Sequence, residues 1–348
     1  MSQIKARDSR LKRFLRQRET GLVLVIIALI ALVSLRNPNF SSLSNLQFIL
    51  GDTSIMIVLA LGMMCVLLVG SIDISISGIM ALGAMTAGIV MKNNLVQPEA
   101  ADALRTSTPL ILLILISMGV GALCGAINGL LISYGKVLPI VATLGMQYII
   151  YGTSHVISGG QAVYRKDMSE AFIQFTRGSF LGLNSKVWIM LAAFIILYLF
   201  ITYTKAGRHL YAVGSNREAA QMSGIKPETA TLNAHIIMGA LAGLAGMMYA
   251  SHDNKVTQDM AMGYEMYVIA ACVIGGVSVT GGSGKILGVL LGALTIGVIN
   301  NGLTMLRLTG NSEFWKKAIQ GAVILIAVVT NVLISRGHRR RVLRERRI

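Results

Sequence analysis

Long apolar runs separated by short polar breaks recur along the whole chain. They lie near 21–35, 54–72, 77–91, 110–131, 137–157, 187–204, 231–250, 266–280, 286–306 and 318–335. None shows the strict apolar–polar alternation of a half-buried strand, and runs of this length point to helices. A helix needs ~20 residues to cross the hydrocarbon of a bilayer, so the pattern predicts an all-α integral membrane protein with roughly ten transmembrane helices. Lipid offers the backbone no hydrogen-bond partner, which leaves helices or a closed barrel as the only spanning forms.

Composition supports this. Of 348 residues, 54% are hydrophobic and 13% charged, about half the ~25% charged share of a soluble domain. The formal net charge is +16, and the two ends hold most of it. Residues 1–20 carry seven Lys/Arg against two acids, and residues 336–348 carry seven Arg against one Glu. A basic tail can bind nucleic acid. Beside an apolar span it fixes topology and can touch anionic lipid, and no nucleic-acid partner is expected. An even number of spans with both tails basic puts both termini in the cytoplasm. The resulting organisation is a basic cytoplasmic tail at 1–20, a polytopic domain at 21–335 with a cytoplasmic loop at 205–230, and a second basic cytoplasmic tail at 336–348. The apolar stretch after the first tail has no small-residue cleavage site, so it reads as a retained helix.

The loops agree with that topology, with one exception. The inner 205–230 loop carries Lys205, Arg208, Arg217 and Lys226 against Glu218 and Glu228. The outer 251–265 loop carries Asp253, Asp259 and Glu265 against Lys255. The 158–186 loop should be outside yet holds Arg165, Lys166, Arg177 and Lys186 against Asp167 and Glu170; it is long enough for a small external helix or cap. Glycines recur at four-residue spacing at 121/125/129, 239/243 and 284/288/292. That spacing puts them on one helix face, where backbones can approach closely. A weak echo between 121–130 and 292–303 reads either as an internal repeat or as convergent packing. Cys65, Cys124 and Cys272 all sit in apolar runs and read as small core residues.

Candidate chemistry is sparse. Asp73, in Val69-Gly-Ser-Ile-Asp-Ile-Ser-Ile-Ser-Gly78, is the clear acid inside the runs. A carboxylate at membrane depth is costly and is a functional candidate by default. Asp73 or Ser75 can also cap a new helix after a break that Gly70 and Gly78 allow, which is the favoured reading. Asn128, Thr143, Gln147 and Asn300 are further polar groups in apolar spans. With Asp73 and Ser75 they are the substrate-path candidates, although interhelical hydrogen bonding accounts for them equally well. The glycine-rich stretch 275–284, followed by Lys285, invites a phosphate-loop reading. It fails, because Ile286 stands where Ser or Thr is required and the glycine spacing is wrong; a tight re-entrant turn is expected. No catalytic set and no metal-ligand set is read from the sequence, and His155 and His235 read as packed or helix-end residues.

The remaining feature is Gly207-Arg-His-Leu-Tyr-Ala-Val-Gly-Ser-Asn-Arg-Glu-Ala-Ala-Gln-Met-Ser-Gly-Ile225, too polar for bilayer and too patterned for a spacer. Thr204–Arg208 can end a helix and turn. Asn216 can cap a short helix, Arg217–Met222, stopped by Gly224. This segment resembles the permease subunits of bacterial ABC importers for monosaccharides of the ribose/galactose/xylose type. Their cytoplasmic loop reads roughly T-x-x-G-R-x-x-Y-A-x-G-x-N-x-x-A-A-x-x-S-G-I, and Thr204, Gly207, Arg208, Tyr211, Ala212, Gly214, Asn216, Ala219, Ala220, Ser223, Gly224 and Ile225 match it. The runs at 70–77, 128–145, 269–276, 281–284 and 301–303 are similar to other segments of that family, so the resemblance covers about 20–335.

It implies a multi-pass protein of the bacterial inner membrane, paired with a second permease copy or homologue. It also implies a cytoplasmic ABC ATPase, an extracytoplasmic sugar-binding protein and a sugar substrate. No cofactor is bound by this chain; ATP is used by the partner subunit. By resemblance, Gly207, Arg208, Tyr211, Ala212, Gly214, Asn216, Ala219, Ala220, Ser223 and Gly224 form the ATPase-coupling element. Two departures bear on the substrate. Ser71 and Ser77 stand where the family usually has Gly, and Glu265-Met-Tyr-Val replaces a common Glu-Leu-Asp-Ala and is similar to autoinducer-2 or rhamnose-type permeases. An ion-coupled carrier or channel is the alternative, and an intramembrane enzyme a third reading.

Overall fold

The computed structural model describes residues 18–96 and 105–306, together with residues 318, 319, 321, 322, 325 and 329. The expected tails and the expected last span at 318–335 fall wholly or mostly outside the described residues. Eight described helices are long and apolar enough to cross a membrane. They are α1 (Arg18–Arg36), α2 (Leu43–Leu68), α3 (Ile76–Asn93), α4 (Leu110–Ser133), α5 (Pro139–Ser158), α7 (Ser185–Tyr203), α10 (Pro227–Asp253) and α12 (Ile286–Leu306). Shorter helices are α6 (Glu170–Arg177), α8 (Lys205–Ser215), α9 (Arg217–Met222) and α11 (Tyr264–Ile274). Two 3-10 turns (Pro38–Ser41 and Arg165–Asp167) and three two-residue antiparallel pairings complete the described elements: β1 (Leu95–Val96) with β2 (Arg105–Thr106), β3 (Val163–Tyr164) with β6 (Lys255–Val256), and β4 (Ser179–Phe180) with β5 (Leu183–Asn184).

One expected span is shorter than its apolar run. The run at 266–280 forms only α11, eleven residues, about 16 Å at 1.5 Å per residue. Gly275 and Gly276 end it, and Gly276, Gly281 and Gly282 all take positive φ, which side chains resist. The 275–285 segment closes as a turn, Ser278 N donating to Ser283 O at 2.8 Å. Conversely, α2 begins eleven residues before the expected 54. Its polar first turns look like loop in sequence, but Asn45 Nδ2 bonds Asn301 Oδ1 (3.1 Å) and Gln47 Nε2 bonds Gly182 O (3.1 Å).

Helices α2, α3 and α10 form the centre. In α2, 89% of the most apolar window is buried, against 6% in α1 and 28% in α4, so α1 and α4 present much of their surface outward. Bonds between segments distant in sequence sort the loops onto two ends. At one end Lys285 pairs with Glu19 (2.7 Å), Gly282 N donates to Leu68 O (3.0 Å), and Lys136 pairs with Glu228 (3.1 Å). At the other, Asn37 Nδ2 donates to Met305 O (3.3 Å) and Val163 faces Val256. The first is the end that the charge pattern assigns to the cytoplasm, and it is termed inner below; the second is termed outer.

The glycine stripes meet as expected. A Cβ on Gly121 would overlap the Gly239 carbonyl, and one on Gly125 the His235 carbonyl, so α4 and α10 touch backbone to backbone. In an open helix position Ala would be favoured over Gly by about 0.5–1 kcal/mol. Against a fixed carbonyl the overpacking cost of ~1–3 kcal/mol outweighs that gain. The third stripe packs α12 on α11 in the same way, Gly292 lying against Ala271 O and Gly275.

Candidate functional site

The inner end carries the segment singled out by sequence. Thr204 ends α7 and caps α8, its Oγ1 accepting from Gly207 N at 3.0 Å. Asn216 caps α9 as expected, Oδ1 accepting from Ala219 N at 2.9 Å. Gly224, at φ +79°, stops it, and Ile225 N returns to Ala220 O at 3.0 Å. Sequence reading missed α8 itself, taking 205–215 as turn and loop. Its signal was Thr204 at a cap position, followed by inward-facing Gly207, Leu210 and Val213, all buried.

The ten coupling candidates divide into two faces. Gly207 and Ala220 are buried, and Tyr211, Ala212 and Gly214 are half-buried. Arg208, Asn216, Ala219, Ser223 and Gly224 are exposed. The inward set is fixed to the bundle. Tyr211 Oη donates to Gly284 O at 2.9 Å, and burial pushes its phenol above the usual range, so it stays a neutral donor. A Cβ on Gly214 would overlap Leu68 O at the end of α2, and one on Gly281 would lie 2.9 Å from both Gly214 Cα and Gly70 N. Thus α8, the end of α2 and the 275–285 turn meet at a junction with no side chain between their backbones. Between α7, α8 and the start of α10, a cavity of about 280 Å³ opens beside Phe200, Leu210 and Ile225, with His209, Lys226 and Asn233 in its lining.

One turn of chain beyond the junction lies a buried polar network. Between α2 and α3 the backbone is non-helical from Gly70 to Ser75. Asp73, fully buried, accepts from Ser75 N (2.9 Å) and Ser75 Oγ (2.6 Å) through Oδ1. Asn128 of α4 donates through Nδ2 to Ser75 Oγ (2.8 Å) and Asp73 Oδ2 (3.3 Å). His235 of α10 contacts Asp73 Oδ2 through Nδ1 at 3.2 Å and Ser71 Oγ through Nε2 at 3.0 Å. A carboxylate can only accept, which puts a proton on Nδ1 and lets Nε2 accept from Ser71. The helix break expected at Asp73 is present, but the expected side-chain cap is not: Asp73 bonds the N-cap residue Ser75 itself rather than a free N–H of α3. The Ser75 side chain makes no cap bond to the helix either, its hydroxyl being held by Asp73.

A second set adjoins it: Ser77 Oγ accepts from Gln147 Nε2 (3.0 Å) and Tyr151 Oη (3.1 Å) of α5. The fold therefore brings together Asp73, Ser75 and Asn128, with Gln147 nearby through Ser77. Thr143 instead bonds Pro139 O of its own helix (2.9 Å). Asn300 sits half-buried in the last turns of α12 towards the outer end, beside Asn301, and is not part of either set. His235, Ser71, Ser77 and Tyr151 were missed as site residues. Ser71, His235 and Asp73 stand in the order of a nucleophile–base–acid line that no sequence spacing could reveal, 162 positions separating His235 from Asp73. Ser71 is only 3% exposed and His235 fully buried.

At the outer end the 158–186 and 251–265 loops join through β3 and β6. The expected small external helix is α6, packed by Phe172 and Ile173 into an apolar cluster with Met85, Met91, Val163 and Val256. Ser251 Oγ donates to Phe172 O (2.7 Å) and pairs with Thr176 Oγ1 (2.8 Å). Lys186, one of the cations that broke the charge pattern, is buried against His252 Nδ1 at 3.2 Å.

The fold is that of a polytopic helical membrane protein with a short, two-faced helix pair on its inner end. Residues 45–328 match the family described as branched-chain amino acid transport system / permease component. The ribose import permease protein RbsC of Escherichia coli (strain K12) is 35% identical over 318 residues, 90% of this chain and 93% of that one. The galactose/methyl galactoside import permease protein MglC of the same organism is 33% identical over 329 residues, covering 91% and 94%. The L-arabinose ABC transporter permease protein AraH of Azospirillum brasilense is 32% identical over 312 residues, covering 89% and 86%. No solved structure matches the chain. The chain belongs to this permease family and is a multi-pass permease subunit of an ABC importer.

Proposed function

We propose that the chain forms the pore of an ATP-driven importer of a monosaccharide across the bacterial inner membrane. An ABC importer permease works with an ATPase and a substrate-binding protein. The relatives' names, ribose, galactose and arabinose, support the substrate class. The observation that carries the mechanism is the two-faced 205–225 segment. Its exposed face, Arg208, Asn216, Ala219, Ser223 and Gly224, receives the ATPase. Its inward face, Gly207, Tyr211, Ala212, Gly214 and Ala220, passes the displacement to the bundle. The recess beside α8 suits a partner's side chain. The outer cap of α6, β3 and β6 receives the binding protein, and a second copy of the permease completes the pore.

Gln147 and Tyr151 of α5, with Ser77, border the sugar's path. Tyr151 is half-buried, and hydroxyl and amide groups suit a polyol. No reaction is assigned to the Ser71–His235–Asp73 line, because its hydroxyl has no access to a substrate. ATP hydrolysis belongs to the partner. The test is reconstitution in proteoliposomes with the ATPase and the binding protein, using labelled D-ribose, D-galactose and L-arabinose. Uptake that requires ATP and both partners is expected. Uptake by the permease alone, driven by an ion gradient, would instead establish a secondary carrier.

A further inference from the structure

We propose that Asp73, Asn128 and His235 form a latch that holds the inner end of the bundle closed, and that displacement of α8 opens it through the Gly70–Gly214–Gly281 junction. The proposal rests on the coupling role assigned to α8 and α9. Three observations carry it.

First, the contact between α8 and the end of α2 is backbone on backbone. A Cβ at Gly214 would overlap Leu68 O, and Gly282 N donates to that same oxygen at 3.0 Å. With no side chain to deform between them, a shift of α8 moves residues 68–70 or breaks the contact. Second, residues 70–75 are a non-helical link with Gly70 at φ +75°, so the link can swing while α2 and α3 stay intact. Third, that link is tied to α10 by His235 and to α4 by Asn128. The two anchors are locked together, because the carbonyl of His235 lies where a Cβ on Gly125 of α4 would be. The link thus has one rigid wall on one side and the coupling helix on the other.

The network has the character of a gate rather than a sugar site. Asp73, Asn128 and His235 are fully buried, and each is committed to protein partners. A sugar meets them only after they part. A carboxylate stripped of its bonds cannot stay dry, so the latch is either closed with these bonds or open with water replacing them. Packed interiors switch between such discrete states.

The test uses the full complex of permease, ATPase and binding protein in nanodiscs, with assembly checked by size-exclusion chromatography. In Asp73→Asn and His235→Gln, ATP turnover without the binding protein is expected to rise roughly tenfold, the shift that ~1.4 kcal/mol makes in a two-state equilibrium. The KM for sugar uptake should stay within about twofold of wild type, a change of ~0.4 kcal/mol. Ser71→Ala removes only the bond to His235 Nε2 and should give a smaller rise; if the first two variants fail to assemble, it decides alone. Unchanged basal turnover with a raised KM would make these residues substrate contacts and overturn the latch. Ala219→Glu tests the coupling reading separately. If it keeps normal stimulation, the coupling assignment fails; if it loses stimulation while the Asp73, His235 and Ser71 variants keep wild-type basal turnover, only the latch fails.

Discussion

The inner end of the bundle and the outer tip of α10 are packed differently. At the inner end, neighbouring elements meet through glycine: Gly214 of α8 against Leu68 O, Gly281 against Gly70, and Gly125 of α4 against the His235 carbonyl of α10. Behind these contacts sits a polar network. Further along α10, Gly243 and Gly246 still lie against the carbonyls of Ser117 and Met80, but at its outer tip side chains take over: Met247 and Ala250 sit in an apolar cluster with Phe172 and Val163, and Ser251 bonds Thr176 and Phe172 O. Backbone contact leaves nothing to yield, so it transmits a displacement. A side-chain cap can repack within rotamer freedom, so it absorbs one. On the proposed function, the first kind of contact suits an end that takes a stroke and the second an end that takes a soluble partner.

Gly214→Val is the strongest way to break the comparison. Its branched Cβ would overlap Leu68 O, a clash no rotamer relieves, costing ~3 kcal/mol or more at the junction. Binding-protein-stimulated ATPase should fall to background, and thermal stability of the purified complex should drop with it. Normal stimulation would mean that the junction is not the transmitting contact. Ala219→Glu comes next. Ala219 is exposed in α9, so the permease should insert and keep its melting temperature while ATPase association weakens by on the order of tenfold or more, as at interface hot spots. Pull-down with the ATPase reads this directly. Together the pair separates the inward face of the segment from the outward one.

Much of the inner end was legible in sequence because it rests on local rules. The Asn216 cap, the Gly224 stop and the glycine stripes at 121/125/129 and 239/243 are short-range patterns with one structural meaning each, and they formed as read. The polar network was half-legible. Asp73 stood out as an acid in an apolar run, and Asn128 as an amide in one. His235 did not stand out, since pairing across 162 positions leaves no spacing signature. Ser71 and Ser77 were noted only as departures from Gly. In the structure both hydroxyls are used, one by His235 and the other by Gln147 and Tyr151. The shortness of α11 was hidden because hydropathy counts Gly275 and Gly276 as part of an apolar run, whereas their backbone ends the helix.

At the outer end, Ser251→Ala removes the hydroxyl that links α10 to α6. The loss should be about 1 kcal/mol, the net worth of one intramolecular hydrogen bond. It should appear as a few-fold weaker response of ATPase activity to binding-protein concentration, with basal turnover unchanged. A change in basal turnover would show that the outer cap also holds the transmitting end, and the division between the two ends would dissolve.

The smallest effect is expected at the inner end itself, where a charged cluster invites more weight than it can bear. Glu228 Oε1 lies 2.8 Å from Arg217 of α9 and 3.1 Å from Lys136 of the α4–α5 loop. It spans the same elements as the coupling segment. Yet the Lys136 and Arg217 side chains are 64% and 45% exposed, and exposed ion pairs are worth about 0–1 kcal/mol and are screened by salt. Glu228→Gln should therefore leave stimulated ATPase within about twofold of wild type at physiological salt, with any difference vanishing as ionic strength rises. A large, salt-resistant loss would mean that charge rather than glycine-mediated backbone contact carries the stroke, since those two contacts are the ties between the 205–225 segment and the bundle that differ most in chemistry.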